Sequence, residues 1–532
     1  MGKDEPFTRS PSASEPTFNA THLDTVSASD LILMADEMVR LWHPREAIPL
    51  LERAVAKDSL QIDAWVQLVE CYAHHLVNRE DDARVAIYAA RTALPADSVY
   101  LAAVRDLFLD RDYSTAVGHM ISAVRADSLR YRDGRYYVAL AGFFAGRHKQ
   151  ALARLDALLD EDDSQGRLLS LQVRSLFASG NIDGAAARAR DLARIYSGEP
   201  YPYVLLAQVE QASGRGAQAV EFCNTALTLD PGYIPAIVTR GNLYAEAGAH
   251  DAARVTFEKL LLFDDAVLRA TGYEGLSWVE FLDGDFDAGV NAMDEAIRNA
   301  MVAGAVRLGL SYSALLIDYL CELGQAQAAA GVVDRWVSGF GNIPEALGRV
   351  RVDVLRGEFD RVRAALAAVE SQKDWAIWAR VMSLDTIEIA ALTHIGAGEH
   401  RRALALLNGA NGASVIPPGA GVAARRSFLR GYAAFESGDA ESARGAFDGV
   451  RSFFFGPEFP YRGDPVLYAQ SQFYAAECAL AAGDTEAART GYAAFLVEWG
   501  NAVWDLRAVA RAREKLEGMT VDPPQAQPDA QP

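Results

Sequence analysis

Along most of the chain, apolar residues recur three and four positions apart with polar residues between them, the spacing of one face of an α-helix. Short glycine-centred strings interrupt this pattern at a fixed interval. Gly146, Gly180, Gly214 and Gly248 follow one another by 34 residues, in AGRHKQAL, SGNIDGAA, SGRGAQAV and AGAHDAAR. Five residues past each glycine stands an alanine: Ala151, Ala185, Ala219 and Ala253. The apolar face continues at i, i+3, i+4 and i+7 on both sides of each glycine, so each period predicts two amphipathic helices joined by a short turn. Glycine closes the first helix because it takes a positive φ without strain. The alanine lets the second helix approach closely. Helices of about 12–14 residues are marginal alone, so each pair must hide its apolar faces against the pairs before and after it.

Beyond residue 265 the interval loosens. Gly284, Gly324, Gly357, Gly398, Gly438 and Gly483 continue the series at spacings of 33 to 45 residues, which implies longer helices or insertions. At several boundaries an Asp-Ser pair marks the break: Asp58-Ser59, Asp97-Ser98 and Asp127-Ser128. Either side chain can accept backbone N–H bonds and start the next helix.

The segment from Tyr203 to Pro231 resembles a tetratricopeptide repeat, with Ala207, Gly214, Ala219, Ala226 and Pro231 at the family's small, turn and terminal positions. Gly241, Tyr244, Gly248, Ala253 and Phe257 extend the likeness downstream. Trp65, Tyr72, Ala83, Ala90 and Pro95 extend it upstream, as do Ala35, Ala47, Leu51 and Ala54, and Ala116, Met120 and Ala123. The resemblance implies an all-α fold, a right-handed α-solenoid of about thirteen such pairs between Ala28 and Met519, regular in its first half and irregular in its second. It divides the chain into a disordered leader (1–27), a regular array (28–265), an irregular array (266–518) and a Pro- and Gln-rich tail (519–532). Two interruptions fall in the irregular part: Gly409 to Ala424, read as a flexible insertion, and the aromatic loop from Ser452 to Pro465 with Phe453, Phe454, Phe455, Phe459 and Tyr461. The stretch from Tyr468 to Met519 is similar to the ends of repeat regions attached to bacterial serine/threonine kinases and transcriptional regulators. No kinase signature accompanies them: a glycine-rich loop with a strand lysine, HRD and DFG are all missing.

Composition narrows the functional classes. The 532 residues carry a net charge of −20, a field that repels nucleic-acid phosphate and anionic lipid. No stretch approaches 18 uncharged apolar residues and no apolar signal segment opens the chain, so a cytoplasmic protein without a membrane span is expected. Cys71, Cys223, Cys321 and Cys478 stand far apart in helical patterns and read as reduced, buried thiols.

Chemical motifs are sparse. The string Gly419-Ala-Gly421-Val-Ala-Ala424 spells GxGxxA, but Pro417-Pro418 precedes it where a strand is required, so no dinucleotide site is expected. Asp283, Asp285 and Asp287 imitate the start of a calcium loop, yet Ala288 and Asp294 occupy the positions that need Gly and Glu; helix capping accounts for the acids better. His74 and His75 are adjacent, and His394 and His400 are six apart, so neither couple can chelate from one helical face. The RGD at Arg462 to Asp464 carries no weight by itself. No catalytic residue, cofactor or metal is therefore expected, and an enzyme or small-molecule binder is the least supported reading.

What remains is recognition of a protein or peptide partner. The resemblance places the first helix of each pair on a concave face, with Asp36, Glu70, Arg105, Arg174, Gln208 and Asn242 about six residues before each turn. The Lys and Asn set with which relatives clamp a peptide carboxylate is missing there. In the second half the same face offers Trp278, Phe281, Phe428, Tyr432, Phe435 and Phe473, either as aromatic anchors for a partner or as packing between neighbouring helices. Two readings follow: a scaffold or adaptor that binds a partner in its groove, or a sensory module working with a bacterial kinase or transcription regulator.

Overall fold

A computed structural model describes residues 25–131, 133–161, 166–372, 374–409, 420–454, 463–504 and 506–519. The leader up to residue 24, the tail from 520, the centre of the insertion at 410–419, and Phe455, Phe459, Tyr461 and Arg462 lie outside them. Among the described residues every regular element is helical. The helices come in sequential pairs and fall into two compact units, one reaching Leu268 and one from Arg269 onward, with the short segment Val302–Ala305 belonging to the first.

The first unit holds seven pairs, from Ala28–Arg40 with Pro44–Lys57 to Ile234–Glu246 with His250–Glu258. The two helices of a pair have different burial. Ile62–Ala73 buries nine residues and Gly134–Phe144 eight, whereas the second helix Gly216–Leu229 buries only Ala219, Cys223 and Ala226. First helices are thus packed on more than one side, and second helices turn a polar face outward. The small residues allow this. Ala219 and Ala253 have no exposed surface, and a Cβ on Gly241 would meet the Phe257 ring at 2.5 Å. Replacing Ala219 or Ala253 with Leu should therefore cost about 1–3 kcal/mol by overpacking. A thermal melt that leaves both variants unchanged would contradict this packing.

The turns carry the left-handed backbone that the glycine series predicts. Gly146, Gly180, Gly214 and Gly248 have φ between 71° and 83°, and Gly284 to Gly483 follow suit. The first three pairs place Trp42 (φ 63°), Asn78 (φ 51°) and Arg111 (φ 54°) at this point instead. A side chain there costs on the order of 1 kcal/mol relative to glycine. Trp42 offsets it by contact, its ring lying 4.6 Å from Tyr201 and 5.8 Å from Tyr196. Those tyrosines belong to the fifth and sixth pairs. His43 also stands 3.5 Å from Glu199, and Arg45 donates to Asp265 at 2.6 Å. The first unit therefore curls until its beginning meets its end.

The second unit is built from longer pieces. Ala266–Asp283, Phe286–Val302, Val306–Glu322, Ala420–Glu436 and Pro465–Ala481 run 17 or 18 residues each, and a seven-residue helix, Trp375–Val381, is inserted between pairs. These explain the wider glycine spacing. This unit also closes on itself. Trp499 donates its indole N–H to the Phe281 carbonyl at 3.1 Å, and its ring stands edge-on to Phe286 at 5.2 Å. Trp278 donates to the carbonyl of Gly463 at 2.7 Å. The last helix, Arg507–Met519, buries only Val509 and Ala512, as a terminal element with one solvated face does.

The capping residues behave mostly as their chemistry requires. Asp58 accepts the Leu60 N–H, Asp127 that of Arg130, and Asp285 that of Ala288, so one of the three calcium-like acids serves a turn, while Asp287 accepts the Trp504 indole N–H. Asp97 is different: its carboxylate takes the Arg130 guanidinium at 2.5 Å and the Tyr131 hydroxyl at 2.7 Å, and Arg130 holds its pKa below the ordinary value. The four cysteines are free thiols, three buried and Cys321 half-buried. Burial pushes all four pKa values up, Cys478 to about 11 and Cys223 and Cys321 to about 12, which suppresses the reactive thiolate. Among the described residues no helix is long and apolar enough to cross a membrane.

Candidate functional site

The first helices of each unit supply its interior, so candidate contacts are sought there. In the first unit the six groove positions, Asp36, Glu70, Arg105, Arg174, Gln208 and Asn242, are all half-buried. Several are already engaged. Glu70 accepts the Tyr137 hydroxyl at 2.8 Å and an Arg167 nitrogen at 2.8 Å to both its oxygens, a strut between the second and fifth pairs. Arg167 lies 4.3 Å over the Tyr136 ring. Asp36 binds Arg40 at 2.7 Å, and burial raises its pKa. Arg105 pairs with Asp106 and Asp110.

Arg174 is the exception. Its guanidinium lies 4.7 Å over Phe143 and 5.8 Å from Phe144, with no carboxylate partner among the described residues. His74, His75, Tyr136 and Tyr201 lie near enough to feel its charge. All four are half-buried. Burial and the neighbouring Arg45 and Arg174 lower the His74 pKa to about 4, so its ring is neutral at pH 7. The two imidazoles lie 4.3 Å apart, tilted by 33°, and Nδ1 of His74 accepts the Leu76 N–H at 3.3 Å, which ties the loop after Ile62–Ala73.

In the second unit the interior is closed by an ionic network. Asp318 on Val306–Glu322 meets Nε of Arg351 at 2.7 Å and a nitrogen of Arg425 at 3.5 Å. Glu388 takes Nε of Arg425 at 2.9 Å and lies 3.5 Å from Arg351. Both arginines donate to the Ser383 carbonyl, at 3.0 and 2.9 Å, and Ser383 is held at φ 49°. Arg426 donates to Asp385 at 2.5 Å. Asp318, Glu388, Arg351 and Arg425 are 2, 2, 6 and 5% exposed, so this is core and not groove. The sequence signal for it is a charge in the middle of an apolar run, as in LLIDYLCE and VAARRSFL, where a first helix should be apolar or small.

The six aromatic residues of the second half occupy this packed environment. Trp278, Phe281, Phe428 and Phe473 are buried, and Tyr432 and Phe435 are half-buried. Phe281 lies 4.9 Å from Tyr319, and Phe473 lies 5.4 Å from Phe495. Phe428, Tyr432 and Phe435 all ring Tyr474, at 5.9, 5.5 and 5.9 Å. Trp278, Phe281, Phe428 and Phe473 thus pack within their own unit, while Tyr432 and Phe435 keep accessible surface. His394 binds Glu399 at 2.8 Å while His400 faces Tyr432, so these two rings have different partners. Among the described residues no group of three His, Cys, Asp or Glu side chains is arranged to hold a metal ion.

The family model for the tetratricopeptide repeat matches residues 170–234, the fifth and sixth pairs. No curated protein matches the chain. Among solved structures, a tetratricopeptide repeat protein from Parabacteroides merdae ATCC 43184 is 15% identical, with 57% of this chain and 97% of that one covered and a TM-score of 0.28. The human IFIT1 dimer with PPP-AAAA is 14% identical, with 80% and 90% covered and a TM-score of 0.35.

Proposed function

We propose that this chain is a protein-interaction scaffold whose first unit receives a peptide segment or partner domain along the inward face of its first helices. The supporting observation is Arg174: a half-buried guanidinium on an aromatic floor, at a groove position, with no acid among the described residues to take its five N–H donors. A partner acid or carbonyl satisfies it. The repeat match at residues 170–234 contains Arg174 and agrees with a binding role for these pairs. The second unit's interior is filled by its own charges.

Crosslinking and mass spectrometry in the source cell tests this reading. Crosslinks from one partner should map to the first helices of the first unit, near Arg174. Arg174→Glu should weaken capture of that partner about ten- to a hundredfold, the loss of a charge-assisted hydrogen bond. Crosslinks confined to the outer helices, or capture indifferent to the substitution, would rule out the inward face.

A further inference from the structure

In the second unit a groove of about 520 Å³ runs between the second helices Ala440–Phe454 and Thr485–Trp499, with the first helix Pro465–Ala481 beneath it. That volume falls within the roughly 300–1,000 Å³ of ligand sites. Small residues line its depth: Ala475, Ala476 and Ala479 from the lower helix, Gly491 and Ala494 from one wall. A Cβ on Gly491 would meet that of Ala476 at 2.8 Å, so only glycine permits this approach of the two helices. At one end Arg444 and Asp484 come within 3.9 Å of each other and draw the walls together. Gln472 also lines the groove, and it is only 7% exposed. No side-chain or backbone group among the described residues hydrogen-bonds its amide.

A side-chain amide carries N–H donors and a carbonyl acceptor, and a buried one left unpaired is costly. A peptide unit offers the matching acceptor and donor in one group. A helix spends its backbone groups on internal bonds, so an extended strand answers Gln472 where a helix does not. Small residues let such a backbone come close. The walls carry both signs: Arg444, Asp448 and Arg451 on one side, Asp484 and Glu486 on the other. A polyanion or a polycation would meet like charge on this lining, which instead fits a segment of mixed or no charge. Val497, 80% exposed, stands three residues past Ala494 on the same helical face and continues the wall as an apolar contact. We propose that this groove binds an extended peptide strand of a partner protein, one of whose peptide units pairs with the Gln472 amide. The site belongs to the second unit and does not depend on the inward face of the first.

Short random peptides displayed on phage and panned against the full chain test the groove. The enriched peptides, synthesised with a fluorophore, should bind the parent chain by anisotropy. Gln472→Leu should weaken them on the order of tenfold or more, the loss of a pair of hydrogen bonds. Thr490→Trp, at an exposed position on the wall, should block them without disturbing the core. N-methylation of one peptide amide should abolish binding, as pairing through the backbone requires. Arg174→Glu in the first unit should leave this binding intact. A library that yields no binder, peptides lost only in Arg174→Glu, or binding indifferent to both groove variants overturns the proposal. Self-association of the parent chain that Thr490→Trp dissolves would assign the groove to a second copy and overturn it equally.

Discussion

Replacing Arg351 with Met should lower the stability of the second unit by about 3–5 kcal/mol, because it strands Asp318 and Glu388 in a core that excludes water. Asp318 is 2% exposed and depends on Arg351 at 2.7 Å, with Arg425 farther off at 3.5 Å. The Ser383 carbonyl would lose one of its two donors. Part of the damage is relieved by protonating Asp318, whose pKa burial already lifts to about 7. The loss should therefore be larger at pH 8 than at pH 5.5. Six of the eight tryptophans lie in the second unit, so intrinsic fluorescence during urea unfolding reports on it directly. A midpoint that does not move at pH 8 would mean that the network is ornamental to stability. A double replacement of Arg351 and Asp318 by apolar residues of matched volume should recover much of the loss, since a buried ion pair is costly to break and often neutral to remove whole.

Trp499→Ala is expected to cost a similar amount, about 3–5 kcal/mol, through a different mechanism. The side chain is 1% exposed and stands between Phe286 and Phe495, with its indole N–H on the Phe281 carbonyl. Its loss opens a cavity where the beginning and end of the second unit meet, and it leaves a buried carbonyl without its donor. Trp499→Phe fills most of the space and removes only the hydrogen bond, so about 1–2 kcal/mol separates packing from polar satisfaction. If both variants unfold with the parent chain, the closure drawn around Trp499 is wrong.

Much of this fold was legible in the sequence, because its punctuation is local. A turn that needs a positive φ selects glycine, and a close helix pair selects alanine; both leave marks at fixed spacing. The helix pairs, their number and the turn glycines from Gly146 to Gly483 could all be read this way. Trp42 and Arg111 were not legible as turns, since their left-handed backbone is held by contacts or by a neighbouring turn and not by residue type. Closure was also invisible. The meeting of Trp42 with Tyr201, or of Trp499 with Phe286, depends on small rotations summed over many pairs. No periodicity encodes that sum. This is why Trp278, Phe281, Phe428 and Phe473 looked as suited to a partner as to their own helices, and why the Asp318–Arg351–Glu388–Arg425 network went unread. The aspartate of the RGD tripeptide illustrates the point: uninformative as a motif, Asp464 gains its role from the helix it caps.

An open stack can gain or lose a hairpin in the middle at the cost of one new junction. A stack whose beginning touches its end cannot. Excising the 34 residues between Gly180 and Gly214 would leave each remaining junction sound yet carry Trp42 away from Tyr196 and Tyr201, and Arg45 away from Asp265. The number of hairpins in the first unit is thus fixed by geometry, as the number of staves is fixed by the circumference of a cask. Length variation is confined to its loops.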